Sequence, residues 1–134
     1  VISNSGNNAV PIDVAQEAQQ RGVKVVGICS VSYCQSLVPR HSTGKKLIDV
    51  VDVVVDNCGN IGDTSVTIEG VEQPLGPTST ITGTYIIHAI LIQAAQNLVT
   101  KGITPKVYWS GSLPDGMQAN QKFVDAYWER IRNL

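Results

Sequence analysis

The run from Ile12 to Cys29 restricts the fold more than any other part of the chain. Ile12 to Gln20 carries Val14 and Ala18 four apart with Ala15 beside them, the spacing of a helix with one apolar face. Pro11 is tolerated at the first turn because no amide donor is needed there. Gly22 is placed to end the helix. Val23 to Cys29 then runs almost without interruption through apolar residues, as expected of a parallel strand covered on both faces by helices. Ahead of the helix, Val1-Ile2 reads as the end of another strand, and Ser3 to Asn8 as a polar turn. Strand end, loop, helix and strand make one βαβ unit with a right-handed crossover, and hence an α/β domain. A core strand seldom opens a protein, so Val1-Ile2 also leads us to expect a further amino-terminal segment of the domain.

The remaining elements follow from patterning. Ser30 to Thr43 reads as a long polar connection and Gly44 to Val50 as a short helix. Val51 to Asn57 is a valine-rich strand, with Asp49 and Asp52 on its rim and Asp56 at its carboxyl end. Thr64 to Glu69 alternates weakly, as an edge strand would, before the turn-like Gly70 to Pro77. Thr78-Ser79-Thr80 opens the longest helix, Ile81 to Lys101, which Gly102 ends. Pro105 to Trp109 suits a strand or an extended cover, and Gln118 to Leu134 a terminal amphipathic helix. There is no internal repeat and no linker, so residues 1 to 134 read as a single domain.

With 134 residues and 43% apolar content, the chain is long enough to bury a core without staples. A net charge of -1, with Lys and Arg scattered singly, excludes the basic stripe that follows a nucleic-acid backbone. The apolar run near Tyr85 to Ala95 is too short and too polar to cross a membrane, and no membrane partner is expected. Cys29, Cys34 and Cys58 are an odd set with no CxxC pair, which points away from a disulfide framework and towards a reducing, cytoplasmic setting. His41 and His88 are far apart, so a metal site is not expected, and no cofactor pattern is present.

Ser3-Asn4-Ser5-Gly6 is the first candidate site. Ligands of open parallel sheets sit beyond the carboxyl ends of strands, where a helix amino terminus offers unpaired amides. Two hydroxyls, the amides around Gly6 and the start of the next helix would converge there as an anion cradle, the alternative being ordinary capping residues. Thr78 to Thr80 could cap the long helix or donate to an anion. His41 lies in a donor-rich loop, Arg40 to Lys45, where its imidazole could move protons while Arg40 and Lys45 hold a charged substrate; a plain solvent loop is the alternative. His88 stands among isoleucines, as a core or interface histidine would, with acid-base work as the second reading. Asp56, Asp63, Glu69 and Glu72 are rim carboxylates, none of which can be named as a base. Cys29 reads as buried packing, and Trp109, Tyr127 and Trp128 as core or subunit contacts.

On these residues the chain resembles the sugar isomerase (SIS) domain family. The match rests on Ile2-Ser3-Asn4-Ser5-Gly6 and its helix, Arg21 to Ile28, Val51 to Asp56 and Thr78-Ser79-Thr80. It is most similar to a bacterial subgroup that shares the Arg40 to Lys45 loop and Asp56-Asn57-Cys58-Gly59. The resemblance implies a three-layer α/β/α domain with a parallel, Rossmann-like sheet of about five strands, of which this chain is the carboxyl-terminal part. It also implies that Ser3 and Ser5, with Asn4 and Gly6 in their loop, bind the phosphate of a phosphosugar, assisted by Ser79 and Thr80. Asn8 stands where the family has a hydroxyl. The expected function is phosphosugar binding, as a sugar-phosphate isomerase-like enzyme with His41 and then His88 as acid-base groups, or as a sensing module without turnover. A phosphorylated sugar or amino sugar is the expected ligand, and homo-oligomerisation is expected from the apolar long helix.

Overall fold

A computed structural model describes residues 1 to 131. The chain forms helix α1 (Ala9–Gln20), strand β1 (Val26–Cys29), helix α2 (Val31–Ser36), a 3-10 turn (Leu47–Asp49), strand β2 (Val53–Asp56), and helices α3 (Ser79–Thr100) and α4 (Gly116–Tyr127). Two compact units result, Val1–Ile90 and Leu91–Leu134.

In the first unit, β1 and β2 pair in parallel with Val26 opposite Val53 and Cys29 opposite Asp56. Alternate residues of β1 face opposite neighbours. The Ile28 amide donates to the Val1 carbonyl and the Ser3 amide to the Ile28 carbonyl, whereas the Asn57 amide donates to the Cys29 carbonyl. β1 therefore lies between β2 and the Val1 to Ser3 segment, whose Ile2 bridges Ile28 in parallel. This is an α/β fold with a small parallel two-stranded sheet flanked by helices. Ile12 and Ala15 of α1 pack with Val25, Cys29, Leu47 and Val50 into one buried cluster.

Coverage of the strands differs from the apolar reading. Gly27, Ile28 and Cys29 are buried, but Val26, Val53 and Val54 are exposed. A run of valines establishes a strand; what covers it depends on other segments. The supposed connection after β1 contains α2, capped by Ser30, whose hydroxyl accepts the Tyr33 amide at 3.3 Å. Its polar Val-Ser-Tyr-Cys-Gln-Ser sequence has no apolar period to reveal it. The expected edge strand at Thr64 to Glu69 reduces to one antiparallel bridge, Val66 to Leu75.

At the opposite end of the sheet, Asp52 accepts the Lys24 ammonium at 2.7 Å, the Val25 amide at 2.9 Å and the Gln19 amide group at 3.3 Å. These donors, the Lys24 side chain foremost, lower its carboxyl to about 2. Asp52 thus ties the end of α1 to the starts of both strands.

In the second unit, Pro105 to Trp109 is not a strand. Asn120 of α4 fastens it instead, accepting the Trp109 amide at 2.8 Å and donating to its carbonyl at 2.9 Å. Tyr108 and Phe123 pack with ring centroids 5.4 Å apart. Trp109 and Trp128 are exposed, so neither is a core residue of this chain. The final helix ends at Tyr127, and the last part of its expected range, 132 to 134, lies outside the described residues.

Candidate functional site

The Ser3 to Asn8 loop joins the Val1 to Ser3 segment to α1 at the carboxyl end of the sheet. Its shape comes from a tight turn in which the Gly6 amide donates to the Ser3 carbonyl at 3.0 Å. Gly6 is left-handed, with φ +57°, and a Cβ there would lie 2.8 Å from Cys34 Sγ and 3.3 Å from Leu47 Cβ. Glycine is needed for both reasons, and the close contact makes α2 the floor of the loop.

Not all the expected donors remain available. The Gly6 amide is engaged by Ser3, and the Asn7 amide faces Ser5 Oγ at 3.4 Å. Among the described residues, the Ser3 hydroxyl and the amides of Asn4, Ser5 and Asn8 have no acceptor in the chain, and the Ser5 hydroxyl proton is free to donate. Asn8 is the residue preceding α1, in extended conformation, and its side chain makes no cap. The open face of the cradle is therefore Ser3 to Ser5 and the first turn of α1. Pro11 sits within that turn, where its missing amide costs no helical bond.

Behind the loop, three strand ends are joined through Asn4. Its carbonyl accepts the Ser30 amide after β1, and its Oδ1 accepts Asn57 Nδ2 after β2 at 2.8 Å. Asn57 is held in that orientation because its own Oδ1 accepts the Gly59 amide at 2.9 Å. Asn4 Nδ2 is left buried without a hydrogen-bond partner among the described residues. Asn57 also lines a cavity of about 440 Å³ with Asp56 of β2 and Ile81, Thr82, Tyr85 and Ile86 of α3. Asp56 Oδ1 accepts the amides of Val31 at 3.0 Å and Cys58 at 2.9 Å, so this carboxylate braces the backbone of two loops.

Asn7 was not singled out by its sequence, yet it brings the Arg40 loop to the cradle. It is buried, donates to the Val38 carbonyl at 2.9 Å and accepts the Arg40 amide at 3.1 Å. Arg40 and Lys45 themselves are exposed, with no ion pair among the described residues. The His41 side chain is only 7% exposed. The Thr43 amide, which can only donate, faces Nδ1 at 3.3 Å, so Nδ1 accepts and Nε2 carries the proton that it donates to Asp13 of α1 at 2.9 Å. The Thr43 hydroxyl is 2.7 Å from the same Nδ1. Both ring nitrogens are thus engaged away from Ser5.

Ser79 and Thr80 open α3 as expected. Ser79 gives both its amide, at 3.0 Å, and its hydroxyl, at 2.5 Å, to the Asp63 carboxylate. Thr80 is exposed and has no side-chain bond among the described residues. His88 is exposed too, not in a core, and stands roughly 13 Å along the helix axis from Ser79 at about 1.5 Å per residue. The remaining rim carboxylates, Glu69 and Glu72, are exposed.

Cys29 and Cys34 are buried side by side beneath the loop. Burial, followed by the neighbouring Cys34 and Asp56, pushes the Cys29 thiol up to about 11. Such a thiol stays protonated and is packing, as its strand position suggested.

Comparison with known proteins supplies the relationship. The family described as SIS domain matches residues 1–30, which hold the Ser3 to Gly6 loop, α1 and β1. A UPF0309 protein of Caldanaerobacter subterraneus subsp. tengcongensis is 36% identical over 136 residues, covering 100% of this chain and 55% of that protein. UPF0309 proteins of Geobacillus thermodenitrificans and Listeria innocua are 38% and 40% identical over 131 residues, each covering 98% of this chain and 53% of the relative. The chain spans about half the length of the curated relatives it matches.

Proposed function

We propose that this chain, which matches the SIS-domain-related UPF0309 proteins along its whole length, binds the phosphate of a phosphorylated sugar or amino sugar at Ser3 to Gly6. The observation that carries the proposal is the set of donors left open at a strand end: the Ser3 and Ser5 hydroxyls and the Asn4 and Ser5 amides, beside the first turn of α1. Helix and loop amides favour an anion at such a position, and hydroxyl donors add charge-assisted bonds. Asn4 Nδ2, buried without a partner, adds another donor behind the loop. The cavity beside Asn57 has room for the sugar.

In the enzymatic reading, the protein is a sugar-phosphate isomerase-like enzyme. One group would carry a proton between adjacent carbons through an enediol-like state while nearby donors stabilise the oxyanion. His41 is the first choice for that group and His88 the second. The engagement of both His41 nitrogens favours the other reading, a phosphosugar-sensing module without turnover. Homo-oligomerisation is part of either proposal.

Replacing Ser5 with alanine tests the cradle. Loss of a hydrogen bond to a charged group, about 1.5 to 3 kcal/mol, predicts at least roughly tenfold weaker phosphosugar binding by calorimetry. Unchanged affinity would sink the assignment. His41→Asn separates the two readings: turnover lost with affinity kept marks a catalyst, and equal loss of both marks a binding role.

A further inference from the structure

The chain between Asn60 and Pro77 is fastened mostly to itself. Ser65 and Val66 donate to the Leu75 carbonyl, Leu75 donates back to Val66, the Ser65 hydroxyl reaches the Gly76 carbonyl, and Asn60 holds the Thr64 carbonyl. Among the described residues, every hydrogen bond from this segment to the rest of the chain ends on one side chain, Asp63. Its Oδ1 accepts the amides of Thr78 at 3.2 Å and Ser79 at 3.0 Å, and its Oδ2 accepts the Ser79 hydroxyl. Left-handed residues stand at both ends of the segment, Cys58 with φ 53° before it and Gly76 with φ 76° within its last turn; Asp63 is left-handed as well, with φ 61°.

We propose that Asp63 is an internal anion that occupies the mouth of α3 in the ligand-free protein, latching residues 60 to 77 as a flap, and that an incoming phosphate displaces it. The inference rests on the phosphosugar reading above. Thr78 and Ser79 offer two helix-terminal amides and a hydroxyl, the donor set that a phosphate oxygen uses at a helix amino terminus. With its proton given to Asp63, Ser79 Oγ presents only lone pairs, which repel a phosphate oxygen. A carboxylate and a phosphate cannot share those donors without like-charge repulsion, so Ser79 becomes a phosphate ligand only when Asp63 leaves. The flap can leave as a unit, since its other bonds are its own, and segments held by few outside contacts open at low free-energy cost. Differential affinity of the anion for the opened state is what would drive the change.

The test is titration of the full chain with inorganic phosphate, followed by calorimetry, for the unmodified protein, Asp63→Ala and Ser5→Ala. Removing an internal competitor should tighten phosphate binding in Asp63→Ala by an amount of the usual coupling size, about 5- to 150-fold. Equal or weaker binding by a variant that keeps its helical circular dichroism overturns the latch. In that event Ser5→Ala separates the two ideas: if it weakens phosphate binding, the cradle stands and only the latch is discarded; if no protein binds phosphate, both are discarded. A second measurement needs no variant to fold. Saturating phosphate should speed limited proteolysis within residues 60 to 77 of the unmodified protein, because the released flap keeps its own hydrogen bonds but loses its tie to α3, whereas unchanged or slower cleavage overturns the latch.

Discussion

Cys29, Gly6 and Asn7 show how differently single residues reveal their roles. Cys29 could be read from sequence, because a thiol within an apolar strand is almost always packing, and its burial raises its pKa to about 11. The native state therefore keeps a proton that the unfolded chain releases near 9.0. Between these values the native state binds more protons, so the stabilisation is full below pH 9 and is lost as pH rises towards 11. Urea midpoints measured across that interval should fall less steeply for Cys29→Ala than for the unmodified chain, and parallel curves would show that Cys29 does not carry the effect. Gly6 was recognisable as a loop glycine, but the Cys34 sulfur that excludes a side chain there comes from α2, a helix without sequence periodicity. Asn7 looked like one more polar loop residue; its two bonds span more than 30 positions and depend wholly on the folding of the Val38 to Arg40 segment against α1.

At the level of elements, α2 is held by contacts that its own residues do not announce. Ser30 caps its start, and at its end Lys46 Nζ donates to the carbonyls of Cys34 at 2.7 Å and Leu37 at 3.0 Å. A cation at a helix carboxyl end meets both the unpaired carbonyls and the negative end of the helix dipole. Lys46→Met keeps most of the stem and removes these bonds, and should destabilise the protein by about 1 to 3 kcal/mol in urea unfolding. Lys45→Met, one position away and exposed, should change stability by less than about 0.5 kcal/mol. Equal effects of the two would refute a capping role for Lys46. The sequence singled out Lys45 as a possible substrate contact, and nothing local distinguishes the two lysines. Which one turns inward follows from the 3-10 turn that begins at Leu47.

On the scale of the whole molecule, apolar surface is left exposed along α3 and on β2, where the family resemblance implied a parallel sheet of about five strands. Ile81, Tyr85 and Ile92 of α3 are 73%, 75% and 69% exposed, and Val53 and Val54 of β2 are exposed too. Exposed apolar area of this kind favours association. Paired Leu91→Glu and Ile92→Glu substitutions should therefore lower the sedimentation coefficient of a homo-oligomer to that of a monomer. An unmodified chain that already sediments as a monomer would end the proposal that α3 mediates self-association. No helix among the described residues is long and apolar enough to cross a membrane.

The sequence by itself determined the order of the main elements, from α1 and β1 through β2 to α3, because apolar spacing, Gly22 and Gly102 act over a few residues at a time. It also determined that a polar, glycine-bearing loop stands between a strand end and a helix. Only the tertiary structure decided which donors of that loop stay open, which histidine nitrogens are engaged, and that Asp63 rather than solvent faces Ser79. Each of these depends on hydrogen bonds between segments distant along the chain, and a side chain's local neighbours carry no record of the partner it will meet across the fold.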